Sequence, residues 1–358
     1  MREQTQVPRE DGRERIKVIG CGGGGGNAVN RMISAALKGV EFIAINTDLQ
    51  ALERCHADTK VNIGRKLTRG LGSGGDWTKG RDAADESRTE LGELIKDTDM
   101  VFITAGMGGG TGTGSSSVVA EVAKQEGALT IGVVTRPFAW EGKVRNTTAE
   151  EGIRLLKDKV DALIVIPNDR LAEVVDAKTS LEDAFRIADD VLRQGVQGIA
   201  DLIVNPGVIN LDFADVKTIM LDAGEALMGI GFGSGDNRAE DAARQAVSSP
   251  LLETSIDGAQ GILFNITAGR DITLHEIQKA AQIVRASADP SANIIFGVVS
   301  DERMQGEVKI TVIATGFGGE RMREPSVADA HRPAEVAPKF GMDVAEDINI
   351  PAFLRNRV

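Results

Sequence analysis

Three glycine clusters, each placed behind a short apolar run, constrain this chain more than any other feature. Residues 20–26 hold six glycines, 70–75 four and 106–114 six, so 16 of the 42 glycines fall within 22 of the 358 residues. The rest of the chain carries about 8% glycine, close to average usage. Glycines between a strand and a helix let the backbone approach a phosphate and aim successive amides at it, and the helix N-terminus adds its dipole. In the first loop Gly20, Gly22 and Gly25 meet the G-x-G-x-x-G spacing of dinucleotide-binding folds, with Asp48 as a possible ribose ligand. Close packing of strand on helix is the structural alternative. The second loop, Met107 to Ser115, alternates glycine with hydroxyls. A dinucleotide fold does not need it, and it lacks the Lys of a P-loop. The third follows the run VNIG. Three such loops at the ends of three strands describe a site that wraps a triphosphate in main-chain amides; three unrelated flexible loops are the alternative.

The apolar runs IKVIG (16–20), VEFIAINTD (40–48), MVFITAG (100–106), LTIGVVTRPF (129–138) and ALIVIPN (162–168) are continuous rather than alternating, with helical patterns between them. That predicts an α/β fold whose parallel, doubly wound sheet is buried on both faces. Ser180 to Ile203 reads as one long helix, opened by Ser180 with Asp183 three residues on and stopped by Asn205-Pro206-Gly207. Beyond it the runs at 226–233, 261–269, 293–302 and 308–316, with helical stretches at 237–247 and 273–287, predict a smaller α+β domain hung from that helix. From about residue 319 the composition is that of a linker, ending in the apolar cluster DINIPAFLRNRV.

Charge excludes some functions. With 41 basic and 53 acidic residues the net is −12, which disfavours nucleic acid as a partner. The uncharged stretch Val101–Ala120 is filled with Gly, Thr and Ser and is unsuited to a bilayer. A polar, charged leader and only two cysteines, Cys21 and Cys55, predict a reducing, cytoplasmic setting. His56, His275 and His331 do not group, so no metal site made by protein side chains is expected.

Several motifs then converge on a resemblance. GGGTGTG at 108–114 resembles the tubulin signature. Together with GCGGGGGNAVNRM (20–32), NTDLQAL (46–52), PFAWEGKVR (137–145), PNDRL (167–171) and INLDFADV (209–216), it makes residues 15–318 similar to the FtsZ family of bacterial cell-division GTPases. Trp140 stands where that family more often has a smaller aromatic. The resemblance implies a tubulin-like fold divided into a leader (1–15), a GTP-binding domain (16–178), a central linking helix (179–204), an α+β domain carrying the catalytic loop (205–318), a linker (319–345) and a partner-binding peptide (346–358).

It also implies site roles. Gly23, Gly24, Gly25, Gly26 and Asn27, with Gly109, Gly110, Thr111, Gly112 and Thr113, would hold the phosphates of GTP or GDP. Gly72, Ser73 and Gly74 would lie near the γ-phosphate, and Glu141 and Arg145 near ribose and phosphate. Asn168 and Asp190 would read the guanine edge, with Phe185 against the base. Asn210, Asp212 and Asp215 would complete the site of the next subunit in a head-to-tail filament, with Mg²⁺ carried on the phosphates, although helix capping alone accounts for the two aspartates. Ile350, Pro351, Phe353 and Leu354 would bind membrane-anchoring and regulatory division proteins at the mid-cell ring, without direct membrane insertion. A tubulin-like cytomotive GTPase serving segregation or shape is the alternative, and an NAD-dependent oxidoreductase a remote one.

Overall fold

The computed structural model describes residues 14–317 except 173–177, 206, 208, 210 and 253–254. The expected leader (apart from 14 and 15), linker and C-terminal peptide, with Ile350, Pro351, Phe353 and Leu354, lie outside the described residues.

The apolar runs of the first half become β1 (Ile16–Cys21), β2 (Val40–Asn46), β3 (Thr59–Asn62), β4 (Met100–Gly106), β5 (Leu129–Arg136) and β6 (Ala162–Pro167), all parallel, in the order β3-β2-β1-β4-β5-β6. Between and after them run α1 (Gly22–Ser34), α2 (Leu49–Glu53), α3 (Arg65–Thr68), α4 (Trp77–Glu86), α5 (Arg88–Ile95), α6 (Thr111–Gln125), α7 (Lys143–Lys157) and α8 (Asn168–Ala172). The continuous apolar runs have their reason in the two cores. Val18, Phe42, Phe102 and Ile131 share one core with Val29 and Met32 of α1, while Ile19, Ile43, Ile103 and Val134 share the other with Val119 of α6 and Leu156 of α7.

The second half comprises α9 (Leu181–Val204), α10 (Phe213–Met220), β7 (Gly224–Ser234), α11 (Arg238–Val247), β8 (Gly261–Ala268), α12 (Leu274–Ala286), β9 (Asn293–Ser300) and β10 (Glu307–Thr315). The α+β half is present, but it is not joined through the helix alone. β7 begins parallel to β6, with Ala162 opposite Gly224, and then pairs antiparallel with β10, so the strands form one ten-stranded sheet. Its core sets Phe264, stacked on Phe296 at 5.3 Å, against Ala242 of α11 and Ala280 of α12.

The central helix α9 touches both halves. Ser180 caps its start by accepting from Asp183 N at 3.1 Å. A methyl on Gly195 would lie 3.0 Å from Val133 of β5 and 3.2 Å from Met228 of β7, and one on Gly198 2.9 Å from Thr311 of β10. Each mid-helix glycine costs about 1 kcal/mol of helix propensity, offset here by the close approach of strands. With 24 residues the helix runs about 36 Å.

Candidate functional site

The carboxyl ends of β1 to β6 share one edge of the sheet, the position where α/β folds hold ligands, and the three glycine clusters meet there. α1 leaves β1 with no side-chain cap and no acid in its first turn, and α6 opens from Gly110 in the same way. Asp48, Asp76, Asp212 and Thr273 cap α2, α4, α10 and α12, whereas α3, α5, α7 and α11 also lack a side-chain cap, so it is the placement of α1 and α6 behind the glycine loops that sets them apart. Uncapped helix starts leave amide N–H groups without partners, which suits an anion.

The glycines divide into two kinds. A methyl on Gly20 would lie 2.5 Å from the Gly25 carbonyl, one on Gly22 2.6 Å from Gly112 N, one on Gly24 3.0 Å from Gly106 N and one on Gly112 2.9 Å from the Cys21 carbonyl. At Gly25, Gly110 and Gly114 it would collide with the Thr104 carbonyl, the Ser73 hydroxyl and the Trp77 carbonyl. These glycines allow loops and helices to touch. Among the described residues, nothing lies within 4 Å of such a methyl around Gly23, Gly74, Gly75 and Gly109; Gly72 meets only Asp48 Cβ at 3.8 Å and Gly26 only Cys55 Sγ at 3.9 Å. Gly23 and Gly26 line a cavity of about 350 Å³ with Gly22 and Asn27, while Gly72, Gly74 and Gly75 adopt left-handed backbone (φ 81°, 64° and 81°) that by itself favours glycine.

Buried hydroxyls tie the loops together. Thr111 Oγ1 lies 2.7 Å from Thr47 Oγ1 and 3.1 Å from Ser73 Oγ, which joins the starts of α6 and α2 to the 70–75 loop. Thr113 is fully buried and accepts from Gly108 N at 2.9 Å, so its hydroxyl shapes the loop from within. Asp48 accepts from Gln50 N and Ala51 N, an N-cap for α2 rather than an extended ribose ligand. Glu141 accepts from Phe138 N at 2.9 Å and pairs with Arg145 at 3.0 Å, and the Arg145 stem lies over Gly108. Burial pushes the Cys21 thiol up to about 12, so it stays protonated beside the loops.

On the side expected to hold the base, Asn168 opens α8. It is buried, and among the described residues its Oδ1 has no hydrogen-bond partner, an atom that calls for a ligand or water. Phe138, Trp140 and Phe185 form an aromatic trio with centroids 5.4 to 6.1 Å apart, and Ala139 N donating to Asp169 fastens their loop to α8.

Asp190, the expected reader of the guanine edge, is engaged within its own helix. Its carboxylate accepts from Arg193 Nε and Gln194 Nε2, both at 2.6 Å; burial raises its pKa, but these partners more than offset that and hold it below the usual range. Asp189, about 100° round the helix, is the residue that lines a cavity of about 420 Å³ with Phe185 and Asn27. Burial pushes its carboxyl up to about 7 against the pull of Arg31. The i, i+4 spacing from Phe185 puts 189 and not 190 on the same helix face. A wider groove of about 840 Å³ between Trp77 and α7 contains none of the glycine loops.

Asp212 and Asp215 are not brought to this cradle. They form a reciprocal cap at the start of α10, with Asp215 N donating to Asp212 at 2.8 Å and Asp212 N to Asp215 at 3.3 Å. α9 starts at the base side and ends at Asn205, so this segment lies at the far end of the helix, fastened to β9 where Val298 N donates to the Ile209 carbonyl. Asn210 lies outside the described residues. Among the described residues no three His, Cys, Asp or Glu side chains converge on a metal position. Nor, among the described residues, is any helix long and apolar enough to cross a membrane.

Comparison with known proteins agrees with this architecture. The profile described as Tubulin/FtsZ family, GTPase domain, matches residues 15–176, and that described as FtsZ family, C-terminal domain, matches 224–318. A solved FtsZ dimer from M. jannaschii is 47% identical, with a TM-score of 0.83 over 86% of this chain and 89% of that one; a tryptophan-to-tyrosine mutant of FtsZ from M. jannaschii is 47% identical at 0.82, over 85% and 91%. CetZ2 from Haloferax volcanii, at 20% identity and 0.72 over 84% and 93%, shares the fold. An open cradle of amides at the carboxyl edge of the sheet, the two matched domains and near-half identity along most of the chain establish that it belongs to the FtsZ branch of the Tubulin/FtsZ family of GTPases.

Proposed function

We propose that this chain binds GTP in the glycine cradle, assembles head-to-tail, and hydrolyses GTP where the α10 end of one subunit meets the cradle of the next. The observation that carries this reading is the separation of the two half-sites. The uncapped helix starts lie at one end of α9 and the acidic cap of α10 at the other, about 36 Å along the helix, so one subunit cannot bring both to one phosphate. A contact between unlike ends that does not close into a ring gives an open filament. The M. jannaschii relative described as a dimer supports self-association.

In this mechanism the amides of residues 23–27 and 109–112 hold the phosphates, and the open glycines 72 and 74 face the γ-phosphate. Asn168 and Asp189 read guanine: an ionised carboxylate accepts from N1–H and the exocyclic amine, a pairing that adenine cannot offer. Phe185 covers the base. Asp212 and Asp215, oriented by their mutual cap, position the attacking water for the neighbour's γ-phosphate and accept its proton, and Asn210 assists. Mg²⁺ bound to the phosphates would neutralise charge developing on them. The chain would act in the cytoplasm at the division site, tethered there through Ile350, Pro351, Phe353 and Leu354.

Phosphate release and light scattering, followed together against protein concentration, test the reading. Turnover should rise faster than linearly, and Asp212→Asn should bind GTP and assemble while losing most hydrolysis. Turnover strictly proportional to concentration down to dilute monomer would refute assembly-driven catalysis.

A further inference from the structure

α1 and α9 lie side by side, and their facing residues are matched. On α1, Asn27 and Arg31 are one turn apart; on α9, Phe185 and Asp189 are one turn apart, and all four line the same cavity of about 420 Å³. The other titratable groups around it are His56, which follows α2, and Glu182 and Arg186 on α9. Arg186 is paired with Glu182 at 2.6 Å and Asp183 at 3.3 Å, while Asp190 is held by Arg193. Among the described residues the Arg31 guanidinium has neither an ion pair nor a hydrogen bond, and it is the cation whose charge acts on Asp189. A half-buried carboxyl is disfavoured as an anion, and once protonated it loses an acceptor that guanine's two donors require.

We infer that Arg31 is a positioning residue for base recognition: from the facing helix its unpaired guanidinium holds the Asp189 carboxylate ionised and turned into the cavity. The inference rests on the reading of Asp189 as the base-facing acid. Because α1 opens at the phosphate loop, the same helix then serves both ends of the nucleotide, through its N-terminal amides and through a cation nine residues on.

The experiment measures GDP affinity of the full chain from pH 6 to 8.5, GDP sharing the base without turnover. Asp189→Asn supplies the background pH dependence. The wild type should lose affinity on acidification with a midpoint near 7, where burial places the Asp189 carboxyl. Arg31→Met should move that midpoint upward, binding about tenfold more weakly than wild type at pH 6.5 for each pKa unit displaced and converging with it by pH 8.5. Arg31→Lys should restore the profile. An Arg31→Met profile identical to wild type, or weaker by one factor at every pH as for a direct contact, overturns the inference. If Asp189→Asn binds GDP as wild type does over the whole range, the base reading itself fails, whatever Arg31 does.

Discussion

Gly23→Ala should make the protein more stable and the site worse, and the two signs can be read separately. Gly23 is the second residue of α1, exposed, and a methyl there meets nothing within 4 Å. Its backbone is already helical, so alanine reduces the conformational freedom of the unfolded chain and stabilises by roughly 0.5–1 kcal/mol. For a domain of this size that raises Tm by about 1–3 °C. The Cα–Cβ bond of a helical residue tilts toward the helix N-terminus, so the methyl projects from the open end of α1 into the space the phosphates need. Displacing a phosphate from two amides removes hydrogen bonds to a charged group at roughly 1.5–3 kcal/mol each, which weakens GTP about a hundredfold or more. Gly25→Ala, two residues on, collides with the Thr104 carbonyl and lies 2.8 Å from Gly20 C, so it should cost about 1–3 kcal/mol without nucleotide. Thermal melts without nucleotide and calorimetric titration with GTP measure both effects. Wild-type affinity in Gly23→Ala would refute the cradle, and a loss of stability matching Gly25→Ala would refute the division of the glycines.

Neighbouring aspartates should separate in the same assay. Asp189→Asn should cost GTP about tenfold or more in preference over ATP, while Asp190→Asn, which breaks the contacts to Arg193 and Gln194, should leave that preference intact in competition binding. Arg238 is buried and bonded to both Asp271 and Glu276, so Arg238→Met should lower the denaturant midpoint, leaving the two carboxylates without their cation. The Arg238 guanidinium holds Glu276 down to about 2, below its unfolded value of 4.5; its contribution is complete above about pH 4.5 and is lost as pH falls toward 2, so Glu276→Gln should flatten that part of the acid-stability curve. Trp140 is exposed, with its ring edge against Phe185, so GTP should change the tryptophan emission of wild type and of Trp77→Phe but not of Trp140→Phe.

Much of this was legible along the chain because its causes are local. Continuous apolar runs announced a sheet covered on both sides, Ser180 and Asn205-Pro206-Gly207 bounded α9, and the glycine loops stood where strands hand over to helices. Two points escaped for an equally physical reason. The register that joins β7 to β6 rests on three residue pairs about sixty positions apart, which no periodicity records. Asp189 and Asp190 are chemically the same, and only the packing of α9 against α1 turns one into the cavity and leaves the other to Arg193.

The glycine clusters show the same boundary most sharply. By itself the sequence determined that three flexible, side-chain-free loops follow three strands, since strand, turn and helix signals act over a few residues. Only the tertiary structure decided that Gly20, Gly25, Gly110 and Gly114 lack a side chain because protein atoms occupy its place, that Gly74 and Gly75 serve left-handed backbone, and that Gly23 and Gly109 face open space. A missing side chain looks the same in each case until segments brought together from across the chain fill one gap and leave another open.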